Sequence, residues 1–102
     1  MAIEFRQAIL DFGPTRGQSA EAGTHVIFSR RVVHAVAVLQ AFDIGFTDGD
    51  HHVFRQEVGL TIGQISDTVV NVHGHLLLRD SSGNIDDRFD GRVLAIVIAE
   101  TQ

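Results

Sequence analysis

The sequence predicts an all-β protein, a six- to seven-stranded antiparallel β-sandwich in a single domain over residues 1–102. Three observations predict it. Short apolar runs rich in Val, Ile, Leu and Phe alternate with Gly, Asp, Asn and Ser clusters at close spacing. No run of ten or more residues keeps a helical period between caps. Two stretches, Ala35 to Ile44 and Val93 to Ala99, are apolar on both faces at strand length. A buried parallel strand has that pattern, but it requires crossover helices for which this chain has little room. Cover for the second face then falls to another copy of the chain, so a homo-oligomer is expected.

Taken in order, Ile3 to Phe12 carries Ile3, Phe5, Ile9 and Leu10 in a pattern that fits neither period, and is assigned as an N-terminal strand. Gly13 to Ser19 is a cluster of chain breakers, extended by Ala20 to Gly23, and reads as a loop. Residues 1–23 thus form an N-terminal strand and loop, and residues 24–102 the sandwich core. Val26, Ile27 and Phe28 begin a short strand, and Ala35 to Ile44 make a long one. Gly45 to Asp50 supplies turn chemistry through Asp48-Gly49. Val58, Leu60 and Ile62 alternate with Gly59, Thr61 and Gly63, and Ser66-Asp67 ends that strand. Val70, Val72, Gly74, Leu76 and Leu78 then point one way while Asn71, His73, His75, Leu77 and Arg79 point the other. Asp80 to Asn84 is a turn, Asp86 to Gly91 an acidic loop, and Arg92 to Glu100 the closing strand.

Composition excludes several classes of function. The chain has 8 basic residues against 13 acidic ones, for a formal charge of −5. Affinity for a phosphate backbone comes from clustered cations, so no nucleic-acid partner is expected. Arg30-Arg31 is the one basic pair and reads as a solvated turn. With 0 Cys there is no disulfide framework and no thiolate nucleophile. No apolar run nears the roughly 20 residues of a membrane helix, so no membrane insertion is expected. Met1 to Arg6 shows no secretory signal pattern, which leaves the compartment open. Ser66, Ser81 and Ser82 lack a nucleophile elbow, and no Gly-rich phosphate loop or acid–base pair is visible, so no catalytic residues are expected.

The order Thr24 to Ser29, Ala35 to Asp43, Val58 to Ser66 and Val93 to Glu100 resembles the H-type lectin domain, the family of the snail agglutinins and the discoidin C-terminal domains. The likeness runs from Thr24 to Glu100 and is one of strand pattern. It implies a six-stranded sandwich assembled as a homotrimer, with sugar sites near subunit boundaries and a role in cell adhesion. Two departures bear on the ligand. Glu57 stands where an Arg commonly opens the third of these strands, and the chain has no Trp or Tyr with which to stack a sugar. Fold can carry over where ligand does not.

Hydrogen-bonding side chains suited to sugar hydroxyls gather in the turns and strand ends. Asp50, His51, His52, Arg55, Glu57, Arg79 and Asp80 are the candidate carbohydrate contacts. His73 and His75 share one strand face at i and i+2, about 6.5–7 Å apart, a spacing that can place two imidazoles on one metal. His51, His52 and Asp50 are the nearest sources of a third ligand. His25 and His34 read as structural. The acidic run from Asp80 to Gly91 has oxygens enough for calcium but not the spacing of an EF-hand. No cofactor is required by the sequence; Ca or Zn are the ions these clusters would take. The leading expectation is a non-enzymatic carbohydrate-binding module, with a structural or assembly protein of a particle or appendage, and a His-based metal-binding module, as the alternatives.

Overall fold

A computed structural model describes residues 1–16, 19–47, 49, 51–81 and 87–102. Six strands are present among them: β1 (Ala2–Arg16), β2 (Ala20–Ile27), β3 (Val32–Phe46), β4 (Val53–Ser66), β5 (Val69–Asp80) and β6 (Arg88–Thr101). They form two antiparallel three-stranded sheets, in the orders β1-β6-β3 and β2-β5-β4. No helix of the described residues is long and apolar enough to cross a membrane. The fold class predicted is thus seen at the level of an all-β chain with two antiparallel sheets, compatible with a sandwich.

Each central strand supplies the middle of the core. Val70, Val72, Leu76 and Leu78 of β5 face Phe89, Val93, Ala95, Val97 and Ala99 of β6, all under 4% exposed. Leu10 and Phe12 of β1 complete the contact, reaching to within 3.1 and 3.4 Å of where a side chain on Gly74 would begin. A bare strand surface is required at Gly91 for the same reason. A Cβ there would lie 2.6 Å from the Asp43 carbonyl and 2.9 Å from Leu76, so the backbones of β6 and β3 and the opposite sheet meet too closely for one.

Several strands run further than the residues suggest. Gly13 to Arg16, expected as loop, stay in β1 by pairing with β6 beyond a register shift after Phe12, and Ala20 to Gly23 belong to β2. Residues 17–18 lie outside the described residues. Val53 to Glu57 extend β4, and Arg88 to Gly91, expected as acidic loop, are strand because they pair with both β1 and β3. The central position of β6 supplies ladder partners on both sides, which overrides the turn propensity of Asp90 and Gly91. The turn expected from Ser66-Asp67 is observed: Asp67 takes a positive φ of 55° between β4 and β5.

One end of the molecule is closed by side chains of β1. The Ser29 hydroxyl donates to Glu4 Oε1 at 2.6 Å, and Arg6 donates to the same oxygen at 3.2 Å and to the Ile27 carbonyl at 3.0 Å. The hydrogen bond from Ser29, followed by that from Thr101, holds the Glu4 carboxyl down at about 2. At this end the loops meet directly, as Phe28 N–H donates to the Thr68 carbonyl and Val32 N–H to the Asp67 carbonyl, each at 2.8 Å. The opposite end carries His51, His52, Arg55, Glu57, Arg79 and Asp80.

Candidate functional site

The two outer sheet faces differ in kind. On β1-β6-β3 the register brings Phe5, Ile98 and Val36 into one row, Gln7, Ile96 and Val38 into the next, and Ile9, Leu94 and Ala41 into a third. Phe5 is 60%, Ile9 46%, Val36 43% and Val38 47% exposed, while Leu94, Ile96 and Ile98 are half-buried. This is the second face of the doubly apolar strands, and the two stretches singled out in the sequence lie side by side on it. Two of its polar groups mid-field pair with each other: Gln7 Nε2 donates to Gln40 Oε1 at 2.8 Å, across the central strand. A bulge between Leu39 and Ala41 aims Gln40 there. Toward one end the face turns polar, with Arg92 donating to Asp11 at 2.7 Å beside Asp43 and Asp90 around a shallow depression.

The outer face of β2-β5-β4 is polar. Arg55 and Arg79 stand opposite each other, as do Glu57 and Leu77, Gly59 and His75, and Thr61 and His73. Arg55 pairs with Glu57 at 2.7 Å and His73 approaches Glu21 at 3.8 Å. His75 lies flat across Gly59, where an added Cβ would meet the imidazole. Beside His73, the glycines Gly23 and Gly63 leave an open cleft of about 430 Å3 that also involves His25 and Asn71. His25 and His34, read from the sequence as structural, are both exposed.

Of the candidate carbohydrate contacts, Arg55, Glu57 and Arg79 thus share this polar face, toward the end of the sheet that holds His51, His52 and Asp80. Asp50 lies outside the described residues. His51 is drawn into a cluster: its Nδ1 lies 3.0 Å from Asp80 Oδ2 and its Nε2 3.5 Å from Asp87 Oδ1. Asp80, the last residue of β5, is only 7% exposed, because its alternation places it on the inner face. The Phe46 ring packs on the imidazole at 4.7 Å and 55°. Ser81 N–H donates to the His52 carbonyl at 3.0 Å, which ties the segment before β4 to the end of β5.

His73 and His75 share a face as predicted. Among the described residues, His51, Asp80 and Asp87 are a group of three side chains whose donor atoms all lie within 4.8 Å of one another. The sequence offers His51 as a candidate third ligand and places Asp80 and Asp87 in one acidic run, but no spacing rule joins Asp87 to a histidine thirty-six positions away. No protein-family model, curated protein or solved structure matches this chain.

Proposed function

We propose that this chain is a non-enzymatic binding module that works as a homo-oligomer, burying the outer face of β1-β6-β3 against further copies of itself and presenting the polar face of β2-β5-β4 to a glycan. The observation that carries the reading is the contrast between the two faces. Three rows of side chains, apolar except for Gln7, point out of one sheet, and His, Arg, Glu, Asn and Thr with Leu77 point out of the other.

Three features support self-association. Rows of this extent exceed the scattered apolar residues of an ordinary surface. Three strands at about 4.8 Å spacing make a face about 14 Å wide, and along the 51 Å long axis the whole face, its polar end included, is about 700 Å2 per copy. A face-to-face pair would hide about 1,400 Å2, within the roughly 1,200–2,000 Å2 of specific interfaces. The Gln7–Gln40 hydrogen bond lowers the cost of drying the centre of the face, since neither amide needs water to satisfy that pair. The resemblance to H-type lectin domains implies three copies.

Glycan binding rests on the donors and acceptors of the polar face, with Arg55, Glu57 and Arg79 as contacts at one end of it and the cleft beside His73 a separate hollow about 20 Å further along β5. Repetition of a weak site around an oligomer raises avidity without any new contact. A glycan array probed with labelled wild-type protein and with Arg79→Ala tests this. Retention of a defined glycan set by wild type, reduced at least tenfold in the variant at equal oligomer mass, is expected. An oligomer that retains no glycan would instead make assembly itself the function.

A further inference from the structure

We infer that the glycan taken by the polar face is an anionic saccharide, its carboxylate or sulfate group held between Arg55 and Arg79 and its ring packed on Phe54. This rests on the glycan reading above and specifies the ligand. Arg55 of β4 and Arg79 of β5 stand directly opposite each other in the ladder, both on the outer face. Like charges so placed destabilise a strand pair, and an anion between them reverses the sign of the interaction. One carboxylate is at hand, and Arg55 takes it: Glu57 Oε1 accepts from Arg55 Nε at 3.0 Å and from Nη2 at 2.7 Å. Two guanidiniums against one carboxylate leave a positive charge over. Among the described residues Arg79 has no hydrogen-bond or ion-pair partner, and it is half-buried, whereas Arg16, Arg30 and Arg31, which also have none, are exposed. Its own strand supplies no anion on that face, because Asp80 points inward and Leu77 is apolar.

The strand beside the pair gives the second reason. The register of β4 shifts between Val53 and Arg55, and the extra residue there, Phe54, is 73% exposed, the most exposed of the seven phenylalanines. Bulges re-aim side chains beside binding sites. A saccharide has an apolar C–H face that packs on an aromatic ring, and with no Trp or Tyr in the chain that part falls to Phe54. The planar fork of a guanidinium meets a carboxylate or sulfate with two parallel hydrogen bonds. Arginine fork and ring together select a charged sugar over a bare anion, which leaves the ring unused, and over a neutral sugar, which leaves the charge unmet. The formal charge of −5 is spread over the whole chain, and at physiological ionic strength screening confines the effect of distant carboxylates to about 8 Å.

The full chain on a glycan array that includes oligogalacturonides, heparin oligosaccharides and neutral galactans is expected to retain carboxylated or sulfated saccharides at least about tenfold more strongly than neutral ones. The carboxylated and sulfated sets tell the two sources of the anion apart. Removing the charge from a retained saccharide, by methyl esterification or desulfation, weakens its binding to wild type at least about tenfold in titration calorimetry and makes no difference to Arg79→Gln. Phe54→Ala weakens the charged and the neutralised saccharide alike. Should Arg79→Gln fail to fold, as judged by far-ultraviolet circular dichroism, the exposed variant Arg55→Gln carries the test. Neutral saccharides retained as strongly as anionic ones, or anionic binding that neither arginine substitution weakens, overturn the inference and leave the glycan reading standing. Inorganic sulfate that displaces a retained saccharide at equal concentration does the same, since it marks an anion site without a sugar preference. A chain that retains no saccharide overturns both.

Discussion

Ile96 and Val97 are neighbours on β6 that point to opposite faces of one sheet, and the same charge placed at each should have different consequences. Val97 is fully buried between the sheets, so Val97→Glu puts a carboxylate into the core without a partner and unfolds the chain. Ile96 lies on the outer face, between Gln7 and Val38, and is half-buried in the single chain. A glutamate there can reach water, and the cost to the isolated chain is about 1 kcal/mol or less. In the proposed oligomer the same substitution forfeits burial of the half of Ile96 still exposed, about 1 kcal/mol, and strands a carboxylate under apolar cover, which costs several kcal/mol more. The sum exceeds about 3 kcal/mol per copy, so the dissociation constant should rise at least about 100-fold. Size-exclusion chromatography with light scattering, beside thermal unfolding followed by circular dichroism, reads both effects. Ile96→Glu should run as a folded single chain at concentrations where wild type is assembled. An Ile96→Glu protein that keeps the wild-type mass, or that unfolds as Val97→Glu does, would refute the reasoning.

Acid should act on the end closed by Glu4. Its carboxyl is lowered from 4.5 to about 2, so its contribution is full above about pH 4.5 and is lost as pH falls through about 2. Glu4→Gln should therefore flatten the loss of stability between pH 4.5 and 2, seen as urea midpoints that converge with wild type at low pH; parallel curves would count against it. At the close approach of β6 and β3, Gly91→Ala should cost about 1–3 kcal/mol, because the obstructing atom at 2.6 Å is the Asp43 carbonyl and cannot rotate away. An unchanged urea midpoint would show that the strands part more easily than their packing suggests.

Much of the fold was legible because β5 and β6 announce themselves. The strict alternation from Val70 to Arg79 is that of a strand with one face wet, and every residue assigned to its inner face is buried. Ile3 to Phe12 resisted a period for the reason that Ala35 to Ile44 did: Ala8, Leu10 and Phe12 face the core while Ile3, Phe5 and Ile9 face outward, so apolar residues fall on both parities. The ends were less legible. Gly13 to Arg16 and Arg88 to Gly91 have turn composition but are held as strand by ladder partners distant in sequence, a tertiary effect that local propensity does not contain. The same limit applies to the site. Arg79 falls on the outer face of β5 by strand parity alone, whereas its pairing with Arg55 needs the extension of β4 before Val58, and the meeting of His51 with Asp87 joins residues thirty-six positions apart that no local pattern connects.

Whether further copies of this chain cover the outer face of β1-β6-β3, as proposed, is tested without any mutation by sedimentation velocity of the wild-type protein over a dilution series through the micromolar range. A discrete species at an integral multiple of 11.2 kDa, three by the lectin-type resemblance, that persists on dilution is expected. A stable, soluble particle of 11.2 kDa throughout would contradict it.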